Sequence, residues 1–218
     1  DLYTGEGAIP PDELRARIAD KDALVSLLTD NVDRSIVDAA PALKVIANVA
    51  VGFNNIDIAY ALSRGVVVTH TPDVLTETTA DIAWALLMAT ARRVAEGDRF
   101  LRSQTPWIWG PLMMLGMDVH GKTLGVVGFG RIGQAVAHRA KGFGMKVVYW
   151  SRSHAPREVE QDLKAQFLEF RDLLAESDFI SVNCALTPET RHLFGAEQFK
   201  AMKKTAILVN TSRGPIVD

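Results

Sequence analysis

The sequence predicts an α/β protein made of two β/α domains, each on a largely parallel sheet. Three observations lead there. Short apolar runs alternate with helical stretches over residues 1–75 and again from Lys122 onward. One run, Leu124-Gly125-Val126-Val127, leads straight into Gly128-Phe129-Gly130-Arg131-Ile132-Gly133, and a helical pattern follows. A long apolar helical stretch beginning near Thr76 separates the two series.

In the first series, Leu2-Tyr3 reads as the end of a strand. Pro10 and Pro11 open a helix through Ala19, with Asp12 and Glu13 in its first turn. Ala23–Leu28 is a strand. Asp33 caps a short helix that stops before Pro41. Lys44–Val49 is a strand running into Ala50-Val51-Gly52, and Asp57–Arg64 is a helix closed by Gly65. Val66–Thr69 is a further strand, ended by Pro72.

One helix is expected from Thr76 to Arg102. Its middle, Ile82 to Ala89, is apolar all round, which predicts burial on most sides and a spine joining two domains. Residues 103–121 carry Pro106, Gly110, Pro111, Gly116 and Gly121, with Trp107 and Trp109 among them. A loop of that length is functional or meets a partner; its tryptophans could equally pack on their own domain. The second series then reads as strand 123–128, helix 131–142, strand 146–150, a short strand at 166–168, helix 170–176, strand 179–183, helix 196–203 and strand 206–210. The boundaries fall at 1–75, 76–121 and 122–218.

A chain of 218 residues with 48% hydrophobic content can bury a substantial core. A net charge of −2 gives no reason to expect nucleic acid or an anionic membrane surface as partner. The apolar stretch from Ile82 to Ala91 is too short to span a bilayer, and no targeting pattern opens the sequence. The single Cys184 excludes an internal disulfide and fits a reducing cytoplasm. It falls in an expected core strand, which argues for an apolar role over a catalytic thiol. No metal ligand set is assigned.

The glycine pattern carries the chemistry. Gly128 permits a tight turn, Gly130 lets backbone approach a pyrophosphate, and Gly133 lets helix and strand pack closely. The helix start at Arg131, Ile132 and Gly133 offers N–H donors to the anion. A NAD site commonly adds an acid about 20 residues after the first glycine, for the ribose 2′-hydroxyl. Here no acid lies between Asp118 and Glu158, and the second strand runs into Ser151-Arg152-Ser153. An arginine fork and hydroxyls suit a 2′-phosphate, so NADP(H) is favoured over NAD(H). Arg152 can also be read as an ordinary solvated loop residue.

Several segments together resemble the D-isomer-specific 2-hydroxyacid dehydrogenase family, and its glyoxylate/hydroxypyruvate reductase members most. They are Val49-Ala50-Val51-Gly52-Phe53-Asn54-Asn55-Ile56-Asp57, Thr71-Pro72-Asp73-Val74-Leu75, Gly121-Lys122-Thr123, Leu186-Thr187-Pro188-Glu189-Thr190, Met202-Lys203-Lys204 and Asn210-Thr211-Ser212-Arg213-Gly214. The resemblance covers essentially the whole chain. It implies an incomplete flavodoxin-like substrate domain and a Rossmann domain incomplete at its C-terminal end. It implies NAD(P)H-dependent reduction of glyoxylate or hydroxypyruvate to the D-2-hydroxy acid by hydride transfer. By the same resemblance Arg213 is catalytic and binds the substrate carboxylate, which Val51 and Gly52 grip through backbone N–H groups. Gly52 could instead be a plain turn glycine. Thr79 falls beside the nicotinamide, where it could equally be a structural helix threonine. Thr211 and Ser212 line the cofactor, and Cys184 and Ala185 border the adenosine. Ala185 stands where the family commonly has proline. The helix from Thr76 and the tryptophan-bearing loop resemble a homodimer contact.

The family's general acid histidine and its glutamate come after the arginine, in positions beyond Asp218. None of His70, His120, His138, His154 or His192 matches them. The sequence is therefore read as an internal piece of a longer enzyme, missing an opening strand and helix, and by itself inactive. Two alternatives stay open: another member such as a phosphoglycerate or formate dehydrogenase, and a non-enzymatic dinucleotide-sensing corepressor.

Overall fold

A computed structural model describes residues 1–218. The chain divides into two compact units, Asp1–Leu75 and Thr76–Asp218, and residues 76–121 fall within the second. No helix is long and apolar enough to cross a membrane.

The first unit runs α1 (Pro11–Ile18), β1 (Ala23–Leu27), α2 (Arg34–Asp38), β2 (Val45–Val49), α3 (Ile58–Ser63) and β3 (Val67–Thr69). Its three strands are parallel in the order β1-β2-β3. Leu24, Ile46 and Val68 share one register row, and that face packs on Leu14, Ile18, Ile36 and Val37. The opposite face holds exposed Val25, Val49 and Val67. The Asp33 cap is the expected one, its carboxylate accepting from the N–H groups of Ser35 and Ile36; Asp57, expected inside its helix, is instead the N-cap, its carboxylate accepting from the Tyr60 N–H. The strand expected at Leu2-Tyr3 does not form. No neighbouring strand offers it a ladder, and Asp1 and Tyr3 instead engage Arg17.

The second unit begins with α4 (Thr76–Ala91) and α5 (Val94–Arg102). The single helix expected over 76–102 is thus two. The Ala91 carbonyl turns aside to accept from the Met117 N–H at 2.7 Å, and Arg93 adopts a left-handed φ of 56°. Gly116 makes this approach possible, since a Cβ there would lie 2.4 Å from that same oxygen. Nor is α4 buried all round: Ala80, Ala83, Trp84 and Leu87 face inward while Ile82 is 50% exposed. Trp84 donates its indole N–H to the Val136 carbonyl at 3.0 Å and stacks on Phe143.

Next come β4 (Thr123–Val127), α6 (Arg131–Ala140), β5 (Lys146–Trp150), α7 (Arg157–Leu163), β6 (Ala165–Phe167), α8 (Phe170–Glu176), β7 (Phe179–Val182), α9 (Ala196–Ala201) and β8 (Ile207–Asn210). The α7 helix lacked a periodic signal, because Val159 and Leu163 are the only aliphatic residues in it. All five strands are parallel, in the order β6-β5-β4-β7-β8. After β6 the chain returns to the other side of β4, so strand order reverses there. Ligands of open parallel sheets bind at such a reversal, outside the carboxyl ends of the strands.

Candidate functional site: a cleft at the strand-order reversal

Three segments converge at that reversal. The β4–α6 turn brings Gly128, Phe129 and Gly130; the end of β5 brings Ser151, Arg152 and Ser153; the end of β7 brings Asn183, Cys184 and Ala185. Together they line a cleft of about 450 Å³.

The three fingerprint glycines are there for different reasons. Gly128 has φ +93°, and a Cβ on it would lie 2.4 Å from the Cys184 nitrogen. A Cβ on Gly133 would lie 2.1 Å from the Gly128 oxygen. The protein's own packing explains both. At Gly130 a Cβ would meet no protein atom within 4 Å, so the protein's own packing does not require glycine there and the backbone lies open to the cleft. Gly130 is also the N-cap of α6 and supplies no side-chain acceptor. The first-turn donors of a helix have no intrahelical acceptor. Open space, a helix start and no competing acceptor fit a pyrophosphate.

Behind the cleft, Tyr149 joins two of its walls. Its ring stacks on Phe129 at 4.0 Å. Its hydroxyl accepts from the Ala155 N–H at 2.9 Å and donates to Glu160 Oε1 at 2.5 Å. Burial first, then the Glu160 bond, pushes its pKa up to about 12. This fixes the stretch that carries Ser151, Arg152 and Ser153. Within it the Ser151 hydroxyl bonds the Ser153 carbonyl. No acid lines the cleft. Beside the lining residue Thr187, Glu189 is held below its usual pKa first by a hydrogen bond with Thr187 and more weakly by the charge of Arg152.

Other expected site residues sit at a remove. The Ile132 side chain packs into the core. Arg131 and Gly133 belong to the start of α6, outside the cleft lining, as do Thr79 in α4 and both Thr211 and Ser212 after β8. Thr211 Oγ1 donates to Asn183 Oδ1 at 3.3 Å, and the Ser212 hydroxyl bonds the Cys184 carbonyl. They tie β8 to the cleft wall. Cys184 lies beyond β7 and not within the strand, and burial pushes its thiol up to about 11. A thiol so protonated is a poor nucleophile. Arg213 is half-buried between β8 and a short 3-10 turn, with Nη1 3.0 Å from the Ser212 carbonyl. Val51 and Gly52 are half-buried after β2, in the other unit.

Sequence reasoning missed Gln134, Trp150, His154, Ala155, Pro156, Asn183, Thr187 and Thr190, which also line the cleft. Asn183 could have been found from its place one residue past β7. His154 carried no such signal; its ring lies on Phe167 at 4.0 Å, with Nδ1 3.9 Å from Glu160.

Residues 84–218 match the family model described as D-isomer specific 2-hydroxyacid dehydrogenase, NAD binding domain. Glyoxylate reductase of Thermococcus gammatolerans is 52% identical over all of this chain and 66% of its own length. Glyoxylate reductase of Korarchaeum cryptofilum is 53% identical, again over all of this chain and 66% of its own. The crystal structure of the TT0316 protein from Thermus thermophilus superimposes with a TM-score of 0.89 at 46% identity, covering 100% of this chain and 67% of that one. The chain thus spans about two thirds of the length of such relatives.

Proposed function

The chain belongs to the D-isomer specific 2-hydroxyacid dehydrogenase family, and from that premise we propose that the whole protein reduces glyoxylate to glycolate or hydroxypyruvate to the D-2-hydroxy acid. The open backbone at Gly130, facing a cleft at the strand-order reversal, is the observation that carries it. A bound nicotinamide dinucleotide supplies the hydride. The Gly128–Gly133 turn holds its pyrophosphate on backbone N–H groups, those of Arg131 and Ile132 included. Cys184 and Ala185 border its adenosine, and Thr79, Thr211 and Ser212 support its nicotinamide half. Arg213 forks the substrate carboxylate and polarises the keto oxygen, and backbone N–H groups of Val51 and Gly52 are assigned to carboxylate binding. Purified whole protein is expected to consume NADPH when given glyoxylate or hydroxypyruvate. Dinucleotide binding without turnover of either would favour a sensor.

NADPH is the preferred cofactor in this reading, through Ser151, Arg152 and Ser153. Arg152→Ala is expected to weaken NADPH by about 10–100-fold, as loss of a charge-assisted contact worth ~1–3 kcal/mol does. NADH should change little. Equal losses for both in a titration would contradict a 2′-phosphate role. Cys184, a lone protonated thiol, suits the reducing cytoplasm proposed as the compartment.

The homodimer proposal rests on exposed apolar surface in the second unit. Ile108, Trp109 and Leu112 are 92%, 74% and 79% exposed, and Ile82 and Leu86 lie open on α4. Patches of this kind mark contact surfaces. Sedimentation of the whole protein should give a dimer across micromolar dilution. A stable monomer of unchanged activity would contradict it.

A further inference from the structure

Three consecutive carbonyls after β2 are each held by a donor from the first unit. The Ala50 oxygen accepts from the Thr71 N–H at 3.0 Å. The Val51 oxygen lies 3.0 Å from His70 Nδ1, which must carry the proton, since a carbonyl only accepts. The Gly52 oxygen accepts from Asn48 Nδ2 at 2.9 Å. None of these peptides is cis, so each N–H points opposite to the carbonyl before it. The N–H groups of Val51, Gly52 and Phe53 are therefore turned away from those donors, and none is given to a backbone carbonyl. Three successive N–H groups without a backbone acceptor, on one loop, are donors available to an anion.

Asn48 is locked. It is 1% exposed, and its Oδ1 accepts from Ser26 Oγ at 3.1 Å and Asn55 Nδ2 at 3.3 Å. Asn55 Nδ2 in turn holds the carbonyls of Leu27 and Asp30. No buried side-chain polar atom is left unpaired, and a satisfied buried network is rigid. His70 is exposed, and its ring meets Phe53 edge-on at 5.5 Å. Nothing in the hydride chemistry calls for these two side chains. Their geometry serves the loop.

We propose that Asn48 and His70 are positioning residues that fix the Val51–Phe53 N–H groups to receive the carboxylate of the 2-keto acid. This rests on the substrate reading given above. In the whole protein, Asn48→Asp keeps the shape but loses the donor to Gly52. It should raise KM for glyoxylate about tenfold, the worth of a hydrogen bond turned repulsive. His70→Phe should raise KM about threefold, the worth of one net hydrogen bond. His70→Asn should restore it, because an asparagine Nδ2 sits where the histidine Nδ1 does. The dissociation constant for NADPH should stay fixed throughout, and kcat should move less than KM. His70 is exposed, so its variants decide the matter even if the Asn48 variant misfolds. Unchanged KM in the His70→Phe and Asn48→Asp proteins, with a raised KM in Arg213→Ala, would overturn this proposal alone. Unchanged KM in all three would overturn the substrate reading with it. Parallel loss of NADPH affinity would reduce the pair to a general structural role and overturn the proposal.

Discussion

Gly133→Val is expected to destabilise the second unit by about 3 kcal/mol or more, the upper range for overpacking, and to abolish dinucleotide binding. Its Cβ would sit 2.1 Å from the Gly128 oxygen and 3.1 Å from both the Gly128 carbonyl carbon and Val126 Cγ1. Two of those three atoms are backbone, so relief requires moving the β4–α6 turn itself. Denaturant unfolding and an NADPH titration measure both effects. Gly130→Ala is the control with the opposite balance. Its Cβ meets no protein atom, and its φ of −76° suits alanine. Stability should hold while NADPH affinity falls by more than about tenfold, the equivalent of ~1.4 kcal/mol. Full affinity in Gly130→Ala would mean that no pyrophosphate approaches that backbone.

Arg213→Ala in the whole protein should lower kcat/KM for glyoxylate by roughly 30-fold to several thousand-fold, since losing one partner of a buried charge pair costs about 2–5 kcal/mol. The position supports this role. Arg213 lies three residues past β8, half-buried, on a backbone held where Asn210 Nδ2 donates to its carbonyl at 2.9 Å. Lysine should rescue only in part, because it brings a point charge without a planar fork. Cofactor affinity should change little, as the β4–α6 turn is a separate segment. A kcat/KM within threefold of wild type would remove Arg213 from substrate binding.

How much of this was legible in the sequence depended on whether a signal was local. The glycine turn, the Asp33 cap and the alternation of strands and helices are written in adjacent residues, and the parallel sheets follow from them. The break between α4 and α5 is set by Met117 and Gly116, some 25 residues beyond Ala91 in the chain, and no window over the helix contains it. The outward face of α4 escaped for a related reason. An all-apolar stretch such as Ile82 to Ala89 does not say which side meets the core, and only the packing of Trp84 on Phe143 decides it. The cleft divides likewise. Gly128, Gly130 and Arg152 carried local chemistry, whereas Asn183, Thr187 and Thr190 enter because β7 lies beside β4. Thr211 and Ser212 were read as lining residues, and their hydroxyls turn out to bond the cleft wall. The carbonyl clamp by Asn48 and His70 had no sequence pattern, since its partners come from either side of a turn.

Hydride transfer to a 2-keto acid is best tested by isotope. The whole protein would be given glyoxylate and NADPH carrying deuterium at nicotinamide C4, on each face in turn, and the glycolate analysed. One of the two labelled faces is expected to deliver deuterium to C2 of glycolate, mole for mole with NADPH consumed. Glycolate free of label from both faces, or NADPH binding with no glycolate formed, would contradict it.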